Sequence, residues 1–447
     1  MTKTEAFGNR EPSPGWYARP SGHRIDTMLS ELRQAVMLSQ SEKVLELLVD
    51  HKCPIDREII RYAAVTYFNK SVFEIIATFL AERRQHLLKL ARTHLSPSQL
   101  IKLGIRCEQR LLDSQAATTA AELLTCNFID YSAVRYFVPD FTWTSSATSV
   151  YFLVGCNSDA AQILYNVGFR NVDEVDQLVY SPLAGLEVPS MNGYHGQYQI
   201  KEPTEALSRY LAMCAWFHNR GSLLTRVFGL AQATPLHHIA GRIGKSFAYL
   251  LEAHCKIQEG EDTKTFNRRF VDGWIDVLRP LISGSTILQE IFKDIEHHDL
   301  FSCACSLGGS LPSNVLINET IYGYSPANRL RLPLVVSPLV ALLVETQEPN
   351  QNQNSSPVLD LRERLASIVI RAYSFACLDL PHTCRSASLE RFRLMHDEGQ
   401  ATNNGLDKVV SEAEMKFRAS GLPLSQFLLV NAQCMEKYQI EPLMKNP

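Results

Sequence analysis

Residues 234–240 read Thr-Pro-Leu-His-His-Ile-Ala, and this stretch decides which fold the sequence predicts. The hydroxyl of Thr234 can cap the N-terminus of a helix, and Pro235 suits the first helical position, where no backbone N–H is needed. Leu236 lies on the face that such a helix would bury. The imidazole of His237 can bond backbone groups of the neighbouring turn. We therefore expect a capped helix that begins at Pro235 and is tied to the next part of the chain.

A glycine followed at a fixed distance by a capped Pro-Leu pair occurs twice. Gly168 precedes Ser181 by 13 residues, and Gly221 precedes Thr234 by the same step. Because glycine commonly ends helices, we expect both glycines to end helices and the proline after each hydroxyl residue to begin the next helix. The two copies indicate an internal repeat. A third Pro-Leu pair, at residues 337–339, lacks a glycine at that distance.

Two helical hairpins nearer the N-terminus have a similar outline. Residues 44–56 resemble a second repeat helix with its exit loop, and Lys52 stands where a helix-ending glycine is usual. Residues 61–64 resemble a first helix, and residues 72–80 resemble the next second helix. The alternative is a pair of ordinary amphipathic hairpins with no repeat character.

Together these motifs resemble a large, mostly uncharacterised class of fungal proteins with degenerate ankyrin repeats, for which T-P-L-H-x-A is the repeat signature. The matching residues are 168–176, 181–183, 234–237, 299–312 and 382–384. The resemblance covers most of residues 30–440. One departure is Ile243, which stands where glycine would end the first helix of the repeat, unless Gly244 serves with a shift of one residue.

The resemblance and the helical patterns predict an all-α fold, an α-solenoid of ankyrin-like helix-turn-helix repeats with irregular insertions. Such stacks bury their core between neighbouring units and leave an elongated concave face. The predicted parts are a disordered N-terminal arm (1–24), ankyrin-like N-terminal hairpins (25–125), central ankyrin-like repeats (126–345) with an inserted loop (188–204), a polar linker (346–357) and a C-terminal helical cap (358–447).

Composition argues against several classes of function. The 447 residues carry a net charge of −3, so no global basic field attracts nucleic acid or anionic lipid. The basic residues Arg83, Arg84, Lys89 and Arg92 are interpreted as a solvated helix face. The longest apolar run, residues 332–344, contains two prolines and is too short to span a membrane. Eleven cysteines without a secretion signal indicate reduced thiols and a cytoplasmic or nuclear protein.

The candidate metal ligands are Cys303, Cys305, His382 and Cys384. Three thiolates and one imidazole form a set that holds structural zinc in many proteins. A Cys-x-Cys pair needs a bent backbone, which glycines 308 and 309 permit, although two to four intervening residues are more usual. The alternative is that these thiols are small buried side chains in a helical core.

The sequence therefore predicts a non-catalytic intracellular interaction or scaffold protein. Its expected partner is another protein rather than nucleic acid or a membrane, while the identity of that partner and the oligomeric state stay open. One alternative is a regulatory module stabilised by one structural zinc ion on the Cys₃His set, which metal analysis of the purified protein would distinguish. Another is an enzyme without a recognisable motif, since no G-x-S-x-G, H-E-x-x-H, G-x-G-x-x-G or C-x-x-C occurs. The expected cofactor is none, or that single zinc ion.

Overall fold

The computed structural model describes residues 22–105, 110–127, 149–175, 180–189, 202–228, 232–254, 263–283, 285–299, 310–322, 338–342, 356–377, 407–424, 426–428 and 430. Every regular element within these ranges is helical, which confirms the all-α prediction. None of the helices in this part of the chain has the length and apolar character that crossing a bilayer requires. The chain divides into two compact units, Met1–Pro182 and Leu183–Pro447.

Three of the predicted parts lie wholly or largely outside the described ranges. They are the N-terminal arm (1–24), the inserted loop (188–204) and the polar linker (346–357). The other predicted domain bounds stay predictions.

The first unit is built around one long helix. Its helices are α1 (Gly22–Met37), α2 (Ser41–Val49), α3 (Arg57–Arg61), α4 (Lys70–His94), α5 (Pro97–Lys102), α6 (Ser114–Cys126) and α7 (Ser158–Val167), and the short α8 (Pro182–Gly185) follows at its end. Helix α4 has 25 residues and packs against α2, α6 and α7. Leu87, Leu88 and Ala91 of α4 form an apolar cluster with Ala117 and Leu124 of α6.

Side chains that precede the helices of the first unit accept hydrogen bonds from their first-turn amides. Asp56, Asn69, Ser96, Asp113 and Asn157 each accept from the backbone N–H three residues ahead. Such a cap satisfies one of the amides that a helix N-terminus leaves without a partner. The helix starts are therefore encoded locally.

Two of the expected N-terminal helices have different lengths from those that the repeat pattern predicts. Residues 61–64 are helical, but α3 ends at Arg61 and continues as a π-helical turn over Tyr62–Thr66. The carbonyl of Ala64 in this turn accepts a hydrogen bond from Nδ2 of Asn157 at 2.6 Å. Residues 72–80 lie within the much longer α4.

The second unit is organised around α10 (Pro235–His254). Its other helices are α9 (Pro203–Asn219), α11 (Thr263–Ser283), α12 (Thr286–Lys293), α13 (Pro312–Tyr322), α14 (338–342), α15 (Ser356–Cys377) and α16 (407–420). Helix α10 packs against α9, α11 and α12, and most extensively against α13. The buried rings of Phe247 and Trp274 meet edge to face between α10 and α11, with centroids 6.1 Å apart. Phe247 therefore helps to hold α11 on α10.

The expected helix end near Ile243 or Gly244 is wrong, because α10 continues without interruption for 20 residues. Gly244 instead permits the close approach of α13. A Cβ atom at this position would lie 2.6 Å from the carbonyl oxygen of Leu316 and 2.7 Å from Cβ of Glu319. This glycine therefore serves helix packing rather than helix termination.

The glycines of the internal repeat do end helices, as predicted. Gly168 follows α7 with φ +122°, and Gly221 follows α9 with φ +82°. At both sites the next residue donates its N–H to a carbonyl five positions earlier, at 3.1 Å. This bond satisfies a carbonyl that the helix C-terminus would otherwise leave unpaired. The helices after the two loops begin at Pro182 and Pro235, also as predicted.

Candidate functional site

Thr234 and His237 form a buried hydrogen-bonded pair at the N-terminus of α10. The backbone N–H of Thr234 donates to Nδ1 of His237 at 3.1 Å, and the Thr234 hydroxyl lies 2.8 Å from the same nitrogen. Because Nδ1 accepts from an N–H group, the neutral ring carries its proton on Nε2, a tautomer assigned from these partners.

The second ring nitrogen of His237 bonds a residue that is distant in the sequence but belongs to the same unit. Its Nε2 lies 2.7 Å from the carbonyl oxygen of Ser310, which must accept. The same carbonyl accepts from the N–H of Asp299 at 3.2 Å, while the Ser310 N–H donates to Oδ1 of Asp299 at 2.7 Å. We call Thr234, His237, Asp299 and Ser310 the His237 node. His237 therefore bonds a backbone group, as predicted, but its acceptor Ser310 lies 73 residues away and not in the neighbouring turn.

The predicted metal ligands Cys303, Cys305, His382 and Cys384 all lie outside the described residues. The metal site therefore stays a prediction. Within the described ranges, no cluster of three or more His, Cys, Asp or Glu side chains is arranged to hold a metal ion.

Cys53, which is not one of the predicted ligands, is a small buried thiol. Its side chain is fully buried in the first unit, and its S–H donates to the carbonyl of Pro54 at 3.5 Å. Burial raises the pKa of the thiol to about 12, so the reactive thiolate is scarce at neutral pH.

A loop with a mixed apolar and basic surface precedes the His237 node. We call residues 220–228 and 232–233, the described part of the connection between α9 and α10, the α9–α10 loop. Phe228 donates its N–H to the carbonyl of Ala233 at 2.9 Å, an isolated antiparallel bridge that narrows the loop just before α10. Leu223 and Val227 point outward, with 55% and 49% of their surface exposed. Large exposed apolar side chains of this kind are the type that recognition surfaces use.

The loop's two arginines are each placed against an aromatic ring. The guanidinium of Arg226 lies 5.5 Å from the ring centroid of Phe228, and that of Arg220 lies 5.9 Å from the ring of Trp216. A cation over an aromatic face is attracted by the ring quadrupole, which restricts the arginine without removing its charge. The loop therefore presents apolar and cationic groups side by side.

The interpretation of the α4 arginines as a solvated face is wrong for two of the four residues. Only 2% of Arg83 and 3% of Arg84 is exposed, whereas Lys89 and Arg92 are exposed. The Nη2 of Arg83 donates to the carbonyl of Cys53 at 2.7 Å. The long aliphatic stems of arginine pack well in a core when the charged head finds such backbone partners.

Arg84 belongs to a buried polar cluster that the sequence did not predict. Its Nη1 donates to the carbonyl of Asp113 at 2.9 Å, and Asp113 caps α6. Oε1 of Glu174 accepts from the N–H of Gln115 at 2.8 Å, in the first turn of the same helix. We call Arg84, Asp113 and Glu174 the α6 cluster. No local motif marks it, because its members come from three separate segments of the chain.

Burial dominates the electrostatics of the α6 cluster. It raises the pKa of Glu174 to about 7, and the negative charge of Asp113 adds to the rise, while the Gln115 amide and the positive charge of Arg84 oppose it. Burial also lowers the pKa of Arg84. The cluster joins α4, α6 and the segment after α7, so we assign it a structural role.

No protein-family model matches this sequence, and no curated protein shows a significant match to it. The function therefore has to be inferred from the chemistry of these sites.

Proposed function

We propose that this chain is a non-catalytic protein–protein interaction or scaffold protein built on ankyrin-like helical repeats. The α9–α10 loop is the single observation that carries the proposal, because it holds Leu223 and Val227 outward. Partner recognition accounts for exposed apolar side chains on a well-anchored loop. The proposed partner is another protein, and the proposed location is the cytoplasm or the nucleus.

The order of features around α10 supports the ankyrin-like part of the proposal. A helix that ends at a positive-φ glycine is followed by a bridged loop, the Thr234–His237 start, and a histidine bond to a later segment. The helix that begins at Pro235 and the bonded histidine are the features that the T-P-L-H-x-A signature implies. The uninterrupted α10 departs from two short helices per repeat, so the proposed repeats are degenerate.

The proposal is tested by affinity capture with the full chain from its native cell, followed by reconstitution with purified components. We expect a small set of proteins to be enriched over a capture with an unrelated helical protein of similar charge. At least one of them should bind the purified chain directly and at a fixed stoichiometry. Failure of every enriched protein to bind directly would overturn the proposal.

A further inference from the structure

We propose that the α9–α10 loop docks an acidic protein segment that also carries apolar side chains. This inference rests on the proposed function and specifies the chemistry of the partner. Arg226 would meet a carboxylate, and Leu223 and Val227 would meet the apolar side chains of the bound segment.

Charge is the first argument for an acidic partner. Residues 206–251, which include the whole loop, contain no Asp or Glu. The loop itself carries Arg220 and Arg226, in a chain whose net charge is −3. Two further arginines nearby in the sequence are already paired, Arg209 with Glu205 and Arg242 with Glu187. Within the described ranges, no carboxylate forms an ion pair with Arg226. A loop whose own charges are all positive attracts the opposite charge and steers its approach.

Anchoring of the loop is the second argument. Ser222, Leu224 and Phe228 are buried, while the intervening Leu223 and Val227 are exposed. The N–H of Ser222 also donates to the carbonyl of Phe217 at 3.1 Å, so the start of the loop is fixed to the end of α9. A loop that is already held in its binding shape loses little conformational entropy when a partner docks.

A second exposed apolar turn in the chain shows why charge decides the choice of partner. Met37 and Leu38, at the end of α1, are about as exposed as Leu223 and Val227. The charges near that turn have both signs and already pair with one another. Arg33 lies 2.7 Å from Asp56, and Lys43 lies 2.7 Å from Glu46. That turn therefore shows no preference for a partner of either charge, whereas the α9–α10 loop favours an acidic one.

The test uses a display library of random short peptides selected against the full-length protein. Enriched peptides should contain an excess of Asp and Glu together with Leu, Ile, Val or aromatic residues. Synthesised copies should bind the purified chain in fluorescence polarisation, and the affinity should fall as salt is added, because salt screens the exposed charges.

Two variants locate the binding to the loop. Arg226→Glu should weaken binding by about tenfold or more, the range in which truncated interface arginines act. The double change Leu223→Ser and Val227→Ser should also weaken it, by about fivefold or more. Arg418→Glu, an identical charge change at an exposed residue of α16, is the matched control and should leave the affinity within about twofold. The melting temperatures of the variants should match that of the wild type. If Arg226→Glu impairs folding, Arg226→Gln replaces it in the binding test.

Each contrary outcome overturns the inference. Selection that enriches no peptide, or peptides without an acidic excess, removes the charge argument. Peptides whose affinity is unchanged by both loop variants bind elsewhere. A single-stranded oligonucleotide of equal charge that displaces the peptides and binds more tightly would assign the patch to nucleic acid. If captured partners still bind both loop variants normally, the inference fails while the proposed function stands.

Discussion

Backbone amides at the N-termini of α6 and α10 find their hydrogen-bond acceptors in different ways. At α6, the Glu174 carboxyl and the Arg84 guanidinium are buried in the first unit beside the half-buried Asp113, with Glu174 accepting from Gln115. At α10, in the second unit, the backbone N–H and the hydroxyl of Thr234 both bond Nδ1 of His237. Both arrangements supply hydrogen-bond acceptors to backbone N–H groups at a helix N-terminus, where the helix itself provides none. Only at α6 does a carboxylate accept directly from an amide of the helix's first turn.

This difference determines how each site responds to change. Both ring nitrogens of His237 have hydrogen-bond partners, so the contribution of this residue depends on the geometry of those bonds. The carboxyl of Glu174 has a folded-state pKa near neutrality, so its contribution to folding should depend on pH. Substitutions at the two sites can separate these behaviours.

The largest effect should come from His237→Ala. The change leaves the buried N–H and hydroxyl of Thr234 without their acceptor, and each orphaned group costs about 1–3 kcal/mol. We therefore expect the unfolding free energy to fall by about 2–5 kcal/mol, measured by urea denaturation. Amide exchange in α10 should accelerate most.

The adjacent His238→Ala is the matched control, because His238 is half-buried and does not belong to the His237 node. His238→Ala should lower the unfolding free energy by about 1 kcal/mol or less. Equal losses from the two histidine substitutions would show that the node contributes nothing special to the start of α10.

In the α6 cluster, the contribution of Glu174 to the free energy of unfolding should fall by about 3 kcal/mol as the pH rises from about 4.5 to about 8. The folded-state pKa of Glu174 is about 7 and its ordinary value is 4.5, so the folded chain holds the extra proton between these pH values. Stability from this group is therefore complete below about pH 4.5 and is lost as pH rises towards 7.

Glu174→Gln keeps an acceptor for the Gln115 N–H but cannot ionise. The variant and the wild type should have similar unfolding free energies near pH 4.5, and the variant should be the more stable at pH 8. Urea denaturation across this pH range measures the difference. Parallel curves for the two proteins would contradict the raised pKa.

The contrast between the two helix starts also explains how much could be read from the sequence. Thr234, Pro235 and His237 lie within four residues, so a local motif predicted the start of α10 and the bonding role of the histidine. Ser310, the distant acceptor, could not be foreseen. The α6 cluster was missed because Arg84 and Glu174 are 90 residues apart, and only the packing of α4 against α6 and α7 brings them together. The all-α class followed from helical periodicity, which is also a local signal. The predicted metal ligands lie outside the described residues and stay a prediction.

Gly244 shows the same limit of local reading, and its replacement should have the next largest effect. Glycine was expected to end a helix there, but its role depends on Leu316 in α13. Gly244→Ala should lower the unfolding free energy by about 1–3 kcal/mol, because the new methyl group forces α10 and α13 apart. Hydrogen exchange of the backbone amides along α13 should also be faster in this variant than in the wild type.

Gly273→Ala is the control for helix propensity. Gly273 also lies within a helix, α11, but no atom lies within 4 Å of the added methyl group. It should stabilise the protein by about 0.5–1 kcal/mol, the usual advantage of alanine over glycine in a helix. Opposite signs for the two glycines would establish that close packing, and not backbone preference, retains Gly244.

The smallest effects should come from helix ends, where the two units again solve one problem differently. Gly221 ends α9 with φ +82°, whereas Ser39 ends α1 with φ +55°. The hydrogen bonds are the same, since Ser39 donates to the carbonyl of Val36 and Gln40 donates to that of Ala35. Serine adopts this backbone region less easily than glycine, because its Cβ approaches the following carbonyl oxygen.

We expect Ser39→Gly to stabilise the protein by about 0.5–1 kcal/mol in urea denaturation, after the greater chain entropy of glycine is subtracted. Gly221→Ala should destabilise it by about 1 kcal/mol through the backbone alone, since no atom lies within 4 Å of the added methyl. A destabilising Ser39→Gly would mean that the serine contributes something at this turn that glycine does not replace.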